Sequence, residues 1–407
     1  VNLASSSNKL QNVTVDAQHG SATIVSANDV DGDLNVTTVG NVANDLTITN
    51  LKNGSANKIH FNKDLKAGGT ISITNEEADI EVATGSSMEA TNISLKSTND
   101  NVKFTGGKVT AKEKLTANAK KDVTITGGVL TSHSMELKAG QDVVHDGGTI
   151  LATKDALLDA GRNVLLQSGI LKAESTDASV ILNAKGYVAE AATGYELTDQ
   201  GTLHVSAGAK NAATGRGIDL GNKTNKLATV TLESADGDVV LGNGGDTTLD
   251  VSVKEGTTVN GKIDIHNYEA GTANDVDING SLKATGDITI TNDEKDVQTG
   301  RKDKKDVVNG KNITVKAKGE VRNYSDMTAE ENVQLTSTEN SVNNPGSITA
   351  RNGQVDMKAK NGIANVGGAI KAKNHIDMKA GDFIYNTSGL ESTDGNVHLE
   401  AENAITN

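Results

Sequence analysis

The chain has 407 residues, a formal net charge of −14, no Cys, no Trp, one Pro, 43 Gly and only 2% aromatic residues. Without Cys there is no disulfide framework, thiolate catalysis or Cys-based metal site, and the acidic balance disfavours nucleic acid and anionic membrane surfaces as partners. Too few aromatics are present to fill a large compact core, while the 35% hydrophobic content and its periodicity argue against disorder.

The first 77 residues read as irregular coils of short alternating segments. Within them, "NDVDGDLN" (28–35) places Asp29, Asp31 and Asp33 in alternation, like the opening of a calcium loop. An EF-hand then requires Gly at its sixth position and Glu at its twelfth; Leu34 and Gly40 stand there, so the match fails. The three aspartates are weak calcium candidates, and weak, diffuse calcium binding by the acidic surface is the only cofactor expectation.

From 78 to 184 the chain repeats itself. "NDNVKFTGGKVTAKEKLTANA", "KKDVTITGGVLTSHSMELKAG" and "QDVVHDGGTILATKDALLDA" are successive versions of one unit of 20 to 22 residues. Each holds three segments with apolar residues at i and i+2, the strand period. The first segments start at Ile80, Val102, Val123, Val143 and Val164. The second start at Met88, Val109, Leu130, Ile150 and Leu171, and the third at Ile93, Leu115, Met135, Ala156 and Val180. Gly-Gly, Asn-Asp and Ala-Gly pairs between segments read as turns. Such a unit buries its inward side chains only by stacking on the next. The expected fold is all-β: a right-handed parallel β-helix, or β-solenoid, with three short strands per coil and roughly 19 coils at a spacing of about 4.8 Å. His145 falls among apolar residues and reads as a satisfied buried or corner histidine.

Between 185 and 310 the pattern loosens. "GYVAEAATGYELTDQ" (186–200), "AGAKNAATGRGIDLGNKTNK" (207–226) and the mixed-charge "TNDEKDVQTGRKDKKDVVNG" (291–310) read as loops leaving the coils, the usual place for binding surfaces in repeat proteins. "GRKDKK" (300–305) is diluted by Asp303 and reads as a solvated loop.

From 311 to 407 the coils are regular again, and Asn323, Asn344, Asn365, Asn386 and Asn407 recur every 21 residues. Each lies two places after Val321, Val342, Ile363, Ile384 or Ile405, in the slot that holds Val82, Phe104, Ile125, His145 and Leu166 in earlier coils. An inward stack of Asn, hydrogen-bonded amide to carbonyl, would satisfy groups that are costly to bury alone. These five form the predicted structural ladder.

"KKDVTITGGVLTS", "AGRNVLLQSGILKAES" and "KNGIANVGGAIKAKNHIDMKA" resemble the β-helical shafts of filamentous-haemagglutinin-type bacterial exoproteins, a group that includes two-partner-secreted and leukotoxin-like filamentous adhesins. The resemblance implies one continuous solenoid segment (1–407), extracellular or on a bacterial surface, with no catalytic or cofactor-binding residues. It also implies presentation of binding surfaces to a host or neighbouring-cell receptor or glycan, with end-to-end or lateral self-association as a further partner. "NNPGS" (343–347) is not the NPNG-type secretion motif of that family, and the chain, starting at Val1, reads as a mature segment of a larger protein. Two other expectations compete: a self-assembling extracellular fibre or biofilm-matrix subunit, and a polysaccharide lyase or hydrolase on the same fold. No apolar run reaches the ~18 residues that span a bilayer, no Trp offers a stacking surface for sugars, and the eight His form no paired ligand motif.

Overall fold

A computed structural model describes residues 1–29, 32–38 and 40–407. Among these there is no helix. The strands stack in parallel as a β-solenoid of about 18 turns. Contacts group the chain into two compact units, Val1–Thr202 and Leu203–Asn407.

In the first unit, period-two alternation translates directly into burial. Strand Leu46–Asn50 alternates buried and half-buried positions throughout. Parallel, in-register pairing then lines up like with like. Ile24 pairs with Ile48, Ile48 with Ile73, and Ile73 with Leu95. The column runs on through Ala117, Leu137, Leu158 and Leu182. Nearly all of these side chains are inaccessible to water. Each large aliphatic residue so buried contributes about 1.5–3 kcal/mol, and a narrow interior is filled by branched aliphatics without aromatics. The two buried Phe, Phe61 and Phe104, occupy the slot that also holds Val82.

The expected three strands per coil are not separate across 102–160. Strands Val102–Ala119, Val123–Ala139 and Val143–Ala160 each run through the Gly-Gly pairs that read as turns. Pairing continues around the corner with register shifts at Phe104/Thr105 and Thr105/Lys108. The glycines turn the chain without ending the ladder because successive corners nearly touch. A Cβ on Gly128 would lie 2.1 Å from the Gly107 carbonyl oxygen, and one on Gly148 would lie 2.4 Å from that of Gly128. Both have positive φ.

A second departure concerns 186–200, read above as a loop. Strand Val188–Glu190 and Tyr195 belong to the ladder instead. Val188, Glu190, Tyr195, Leu197 and Asp199 are buried. The polar members of this set break the greasy alternation, which is why the sequence reads as irregular there.

The second unit has the same architecture. Ile263, Ile288, Ile313, Val333, Val355 and Ile376 form one column by successive pairing. Here the second strands are distinct and form their own six-stranded sheet, from Leu282–Lys283 through Val307–Gly310 and Asp326–Ala329 to Leu390–Ser392. The 291–310 stretch is in part ladder: strands end at Asn292, run again over Val297–Thr299 and resume at Val307, with a turn at 293–296 and the longer segment 300–306 outside them.

Candidate functional site

The Asn series is one hydrogen-bonded chain. Strands Val321–Asn323, Val342–Asn344, Ile363–Asn365 and Phe383–Asn386 bring their Asn side chains into the interior, where all four are buried. Asn323 Nδ2 donates to Asn344 Oδ1 at 2.7 Å, Asn344 Nδ2 to Asn365 Oδ1 at 2.7 Å, and Asn365 Nδ2 to Asn386 Oδ1 at 2.6 Å. Asn386 Nδ2 continues to the exposed Asn407 Oδ1. The amides all point one way. Turning Asn365 would bring its NH2 to the Gly368 and Asn344 carbonyls, each at 3.2 Å, but without Asn344 and Asn386 turning too it would set NH2 against NH2 at 2.7 Å and oxygen against oxygen at 2.6 Å. Polarity is therefore a property of the whole ladder. The upstream end is closed by Thr299, whose hydroxyl donates to Asn323 Oδ1 at 2.8 Å, and by Ser325, whose backbone N–H reaches the same oxygen at 3.0 Å.

Two further Asn ladders lie at a different corner, where the third strand of the coil ends. In the first unit Asn50 Nδ2 donates to Asn75 Oδ1 at 3.0 Å. In the second, Asn243 donates to Asn267 at 2.9 Å and Asn267 to Asn292 at 3.0 Å. The signal was present in "TNLKNGSANK" (49–58) with "TNEEAD" (74–79), and "HNYEAGTAND" (266–275) with "TNDEKD" (291–296). These pairs build the same device twice. Asn75 and Asn292 each donate to the carbonyl four residues on, Asp79 and Asp296, at 2.8 Å. Glu77 and Glu294 each grip the loop one coil back, accepting from the Asn53 and Ala270 backbone N–H at 2.7 Å. Asp79 and Asp296 each hold a cation on the next coil, Lys103 at 2.5 Å and Arg322 at 2.8 Å. Glu77 also accepts from the Ser55 N–H and hydroxyl. Replacing Glu77 with Ala orphans the Asn53 and Ser55 backbone N–H groups, while the Asn53 and Ser55 side chains keep their bonds to the Ala27 and Asn28 carbonyls. Hydrogen exchange at Asn53 and Ser55 should accelerate by a factor corresponding to about 1–3 kcal/mol, with the column at Ile48 and Ile73 unaffected.

Two of the calcium candidates have partners within the chain. Asp29 pairs with Lys9 at 2.5 Å, which holds its carboxyl below the usual carboxylate range. Asp33 accepts the Lys58 backbone N–H at 3.0 Å. Asp31 lies outside the described residues. Among the described residues no three His, Asp or Glu side chains converge on one point.

The loop that "GRKDKK" forms does more than face solvent. Gly300, with φ +76° and Ser325 against it, turns the chain out of the ladder. Arg301 then folds back onto the buried Asp306: its Nε and a terminal nitrogen contact the two carboxylate oxygens at 2.9 and 2.7 Å, and its backbone N–H adds a third bond at 2.9 Å. This fork keeps the Asp306 carboxyl below its ordinary range. The loop becomes one wall of a cleft of ≈ 730 Å³. The opposite wall is the turn Lys254–Thr257, closed by Thr257 bonds to the Lys254 carbonyl. The floor carries Thr231, Ser252, Asn279 and Ser281. Thr231 and Ser252 hydroxyls lie 3.3 Å apart, Asn279 donates to Asp250 at 2.8 Å, and Ser281 Oγ accepts the Val307 N–H at 3.1 Å. Lys254 is shared with Glu233 at 2.8 Å. Lys283, Lys304 and Lys305 line the cleft with no carboxylate within ion-pair distance among the described residues. Beside the floor, Asp277 pairs across strands with Asp250, and burial followed by that neighbouring charge pushes its carboxyl up to about 6. No local pattern marks the meeting of the loop with the 254–257 turn, since the coil between them brings the two together only in space.

No helix of the described residues is long and apolar enough to cross a membrane. No family model, curated protein or solved structure matches this chain.

Proposed function

We propose that this chain is a structural shaft segment of a secreted or surface-displayed bacterial filamentous adhesin, holding binding surfaces away from a cell and performing no catalysis itself. One observation carries the reading: coil after coil repeats the same inward columns and the same amide ladder in unchanged register, from Asn323 to Asn386. Such a scaffold gains length by adding coils, because each interface is like the last. Its outer faces are free to vary, and the segment 300–306 shows a loop added without disturbing the ladder on either side.

The resemblance to filamentous-haemagglutinin-type shafts supports the same role and supplies its setting, the extracellular space. The test is retention. Beads coated with the purified chain and passed over epithelial monolayers and over bacterial lawns should be held against flow on at least one of these surfaces. Retention equal to that of albumin-coated beads on all of them would overturn the proposal.

A further inference from the structure

We propose that the cleft between Lys254–Thr257 and Arg301–Asp306 is a binding site for an acidic oligosaccharide, one whose sugar units carry carboxylate groups. The inference gives a ligand class to the display role above and rests on that reading for its biological setting.

The chain carries a formal net charge of −14, yet this one cleft collects Lys254, Lys283, Arg301, Lys304 and Lys305 against Glu255 and Asp306. Two of the five cations are spoken for, Arg301 by Asp306 and Lys254 by Glu233. Lys283, Lys304 and Lys305 are left facing the cleft. Three ammonium groups around one concavity repel each other, and an anion between them relieves that repulsion.

The wall that carries two of them is anchored. The Arg301–Asp306 fork fixes both ends of the loop, so Lys304 and Lys305 are held near the cleft. Its volume of ≈ 730 Å³ falls within the range of small-ligand sites, roughly 300–1,000 Å³.

The remaining lining selects among anions. Thr231, Ser252, Thr257, Asn279 and Ser281 offer neutral donors and acceptors, the complement of sugar hydroxyls. No aromatic ring lines the cleft, so it lacks the platform on which single-stranded nucleic acid bases stack. Lysine ammonium groups act as point charges on any anion, so the choice of a sugar ligand rests on the neutral hydroxyl and amide lining. A chain of hydroxyl-rich rings with carboxylates matches both halves of this surface.

The experiment uses the full chain and fluorescence anisotropy with labelled hexagalacturonate, maltohexaose, hexaglutamate and a thymidine hexanucleotide. Hexagalacturonate should bind, weaken as salt rises, and outcompete the other three probes. The double variant Lys304→Glu with Lys305→Glu, on an exposed loop, should weaken binding at least about tenfold. The double variant Lys108→Glu with Lys112→Glu, exposed in the first unit and outside the cleft, changes net charge equally and should bind like the parent. Three results would overturn the site: no hexagalacturonate binding at millimolar concentration, equal loss in both double variants, or tighter binding of hexaglutamate or the oligonucleotide. Each leaves bead retention as a separate question, so this inference can fail while the shaft reading stands.

Discussion

Asn365→Asp should destabilise the second unit by about 3–5 kcal/mol at pH 7, the range seen when one partner of a buried polar pair becomes an uncompensated charge. One carboxylate oxygen can still accept from Asn344, as Asn365 Oδ1 does now. The other takes the place of an NH2 group that donates to Asn386 Oδ1 at 2.6 Å, so two acceptors face each other. Asn386 cannot relieve this by turning, because its own NH2 is committed to Asn407 and to the Ser388 carbonyl. Protonation of the new carboxyl restores a donor, so the folded state binds the proton more tightly than the unfolded chain. Stability is then lost as pH rises and recovered as pH falls toward and below the ordinary carboxyl value of about 4. Protection factors at Val366 and Thr387, whose N–H groups bond the Asn344 and Asn365 carbonyls, each taken against the intrinsic exchange rate at the same pH, should fall below the parent's at pH 7 and return toward the parent's near pH 4. Unchanged protection at pH 7 would show that the ladder contributes nothing there. Asn365→Leu is the uncharged comparison: it strands the Asn344 NH2 and the Asn386 carbonyl, each costing about 1–3 kcal/mol, and that cost should not vary between pH 7 and pH 4. Replacing Asn344, Asn365 and Asn386 together with Val should cost less than Asn365→Asp alone, because the same column already holds Val251 and Ile278, which pair on through Thr299 to Asn323.

Period-two alternation and a recurring unit were enough to read the solenoid, because parallel in-register stacking makes every coil's inward positions recur in sequence. The columns through Ile93 and Met357 are legible that way, whereas the regular column through Ile48 lies in the first 77 residues, which read as irregular. Three features were not. The Gly-Gly corners read as turns because glycine's freedom is the same whether or not the hydrogen-bonded ladder continues through it. The stretch 186–200 read as a loop because Glu190, Tyr195 and Asp199, all buried, hide the alternation that places them inside. The two ladders at the third-strand corner went unread because Asn50–Asn75 and Asn243–Asn267–Asn292 are short series spaced by 24 to 25 residues, broken elsewhere by Ser and Ala. The cleft is of another kind: Lys254 and Lys304 are far apart along the chain and meet through the stacking of intervening coils, and no local pattern encodes that meeting.

The buried titrating groups of the first unit lead to a second large effect. His145 sits fully buried in the slot shared with Ile125 and Leu166, its Nδ1 2.8 Å from the Tyr195 hydroxyl and its Nε2 without a hydrogen-bond partner among the described residues. Burial pushes its pKa down from 6.5 to about 4, against the weaker opposing pull of the Gly148 and Gly147 backbone and of Asp146. The folded state therefore resists protonation, and stability falls as pH drops from about 6.5 to about 4, by about 3 kcal/mol in all. Asp199 does the reverse. Burial pushes its carboxyl from 3.8 up to about 6, outweighing the Gly201 and Val180 N–H groups. The folded state favours its proton, so stability rises by about 2–3 kcal/mol as pH drops from about 6 to about 4. The two terms nearly cancel in the parent chain. Removing either one should uncover the other. His145→Leu, which puts in this slot the residue found at Leu166, should make the first unit more stable at pH 4 than at pH 7 relative to the parent. Asp199→Asn should make it less stable at pH 4 by about 3 kcal/mol on the same comparison, and the double variant should return to the parent's profile. Reading each variant against the parent at both pH values cancels the acid loss from paired carboxylates such as Asp79, where burial is the largest single influence but Lys103 and Asn101 together outweigh it and hold the carboxyl below its ordinary range. Urea denaturation followed by hydrogen exchange at Leu166 and Leu182 measures the difference. Parallel pH profiles for the parent and both single variants would mean that neither group carries its proton differently in the folded chain.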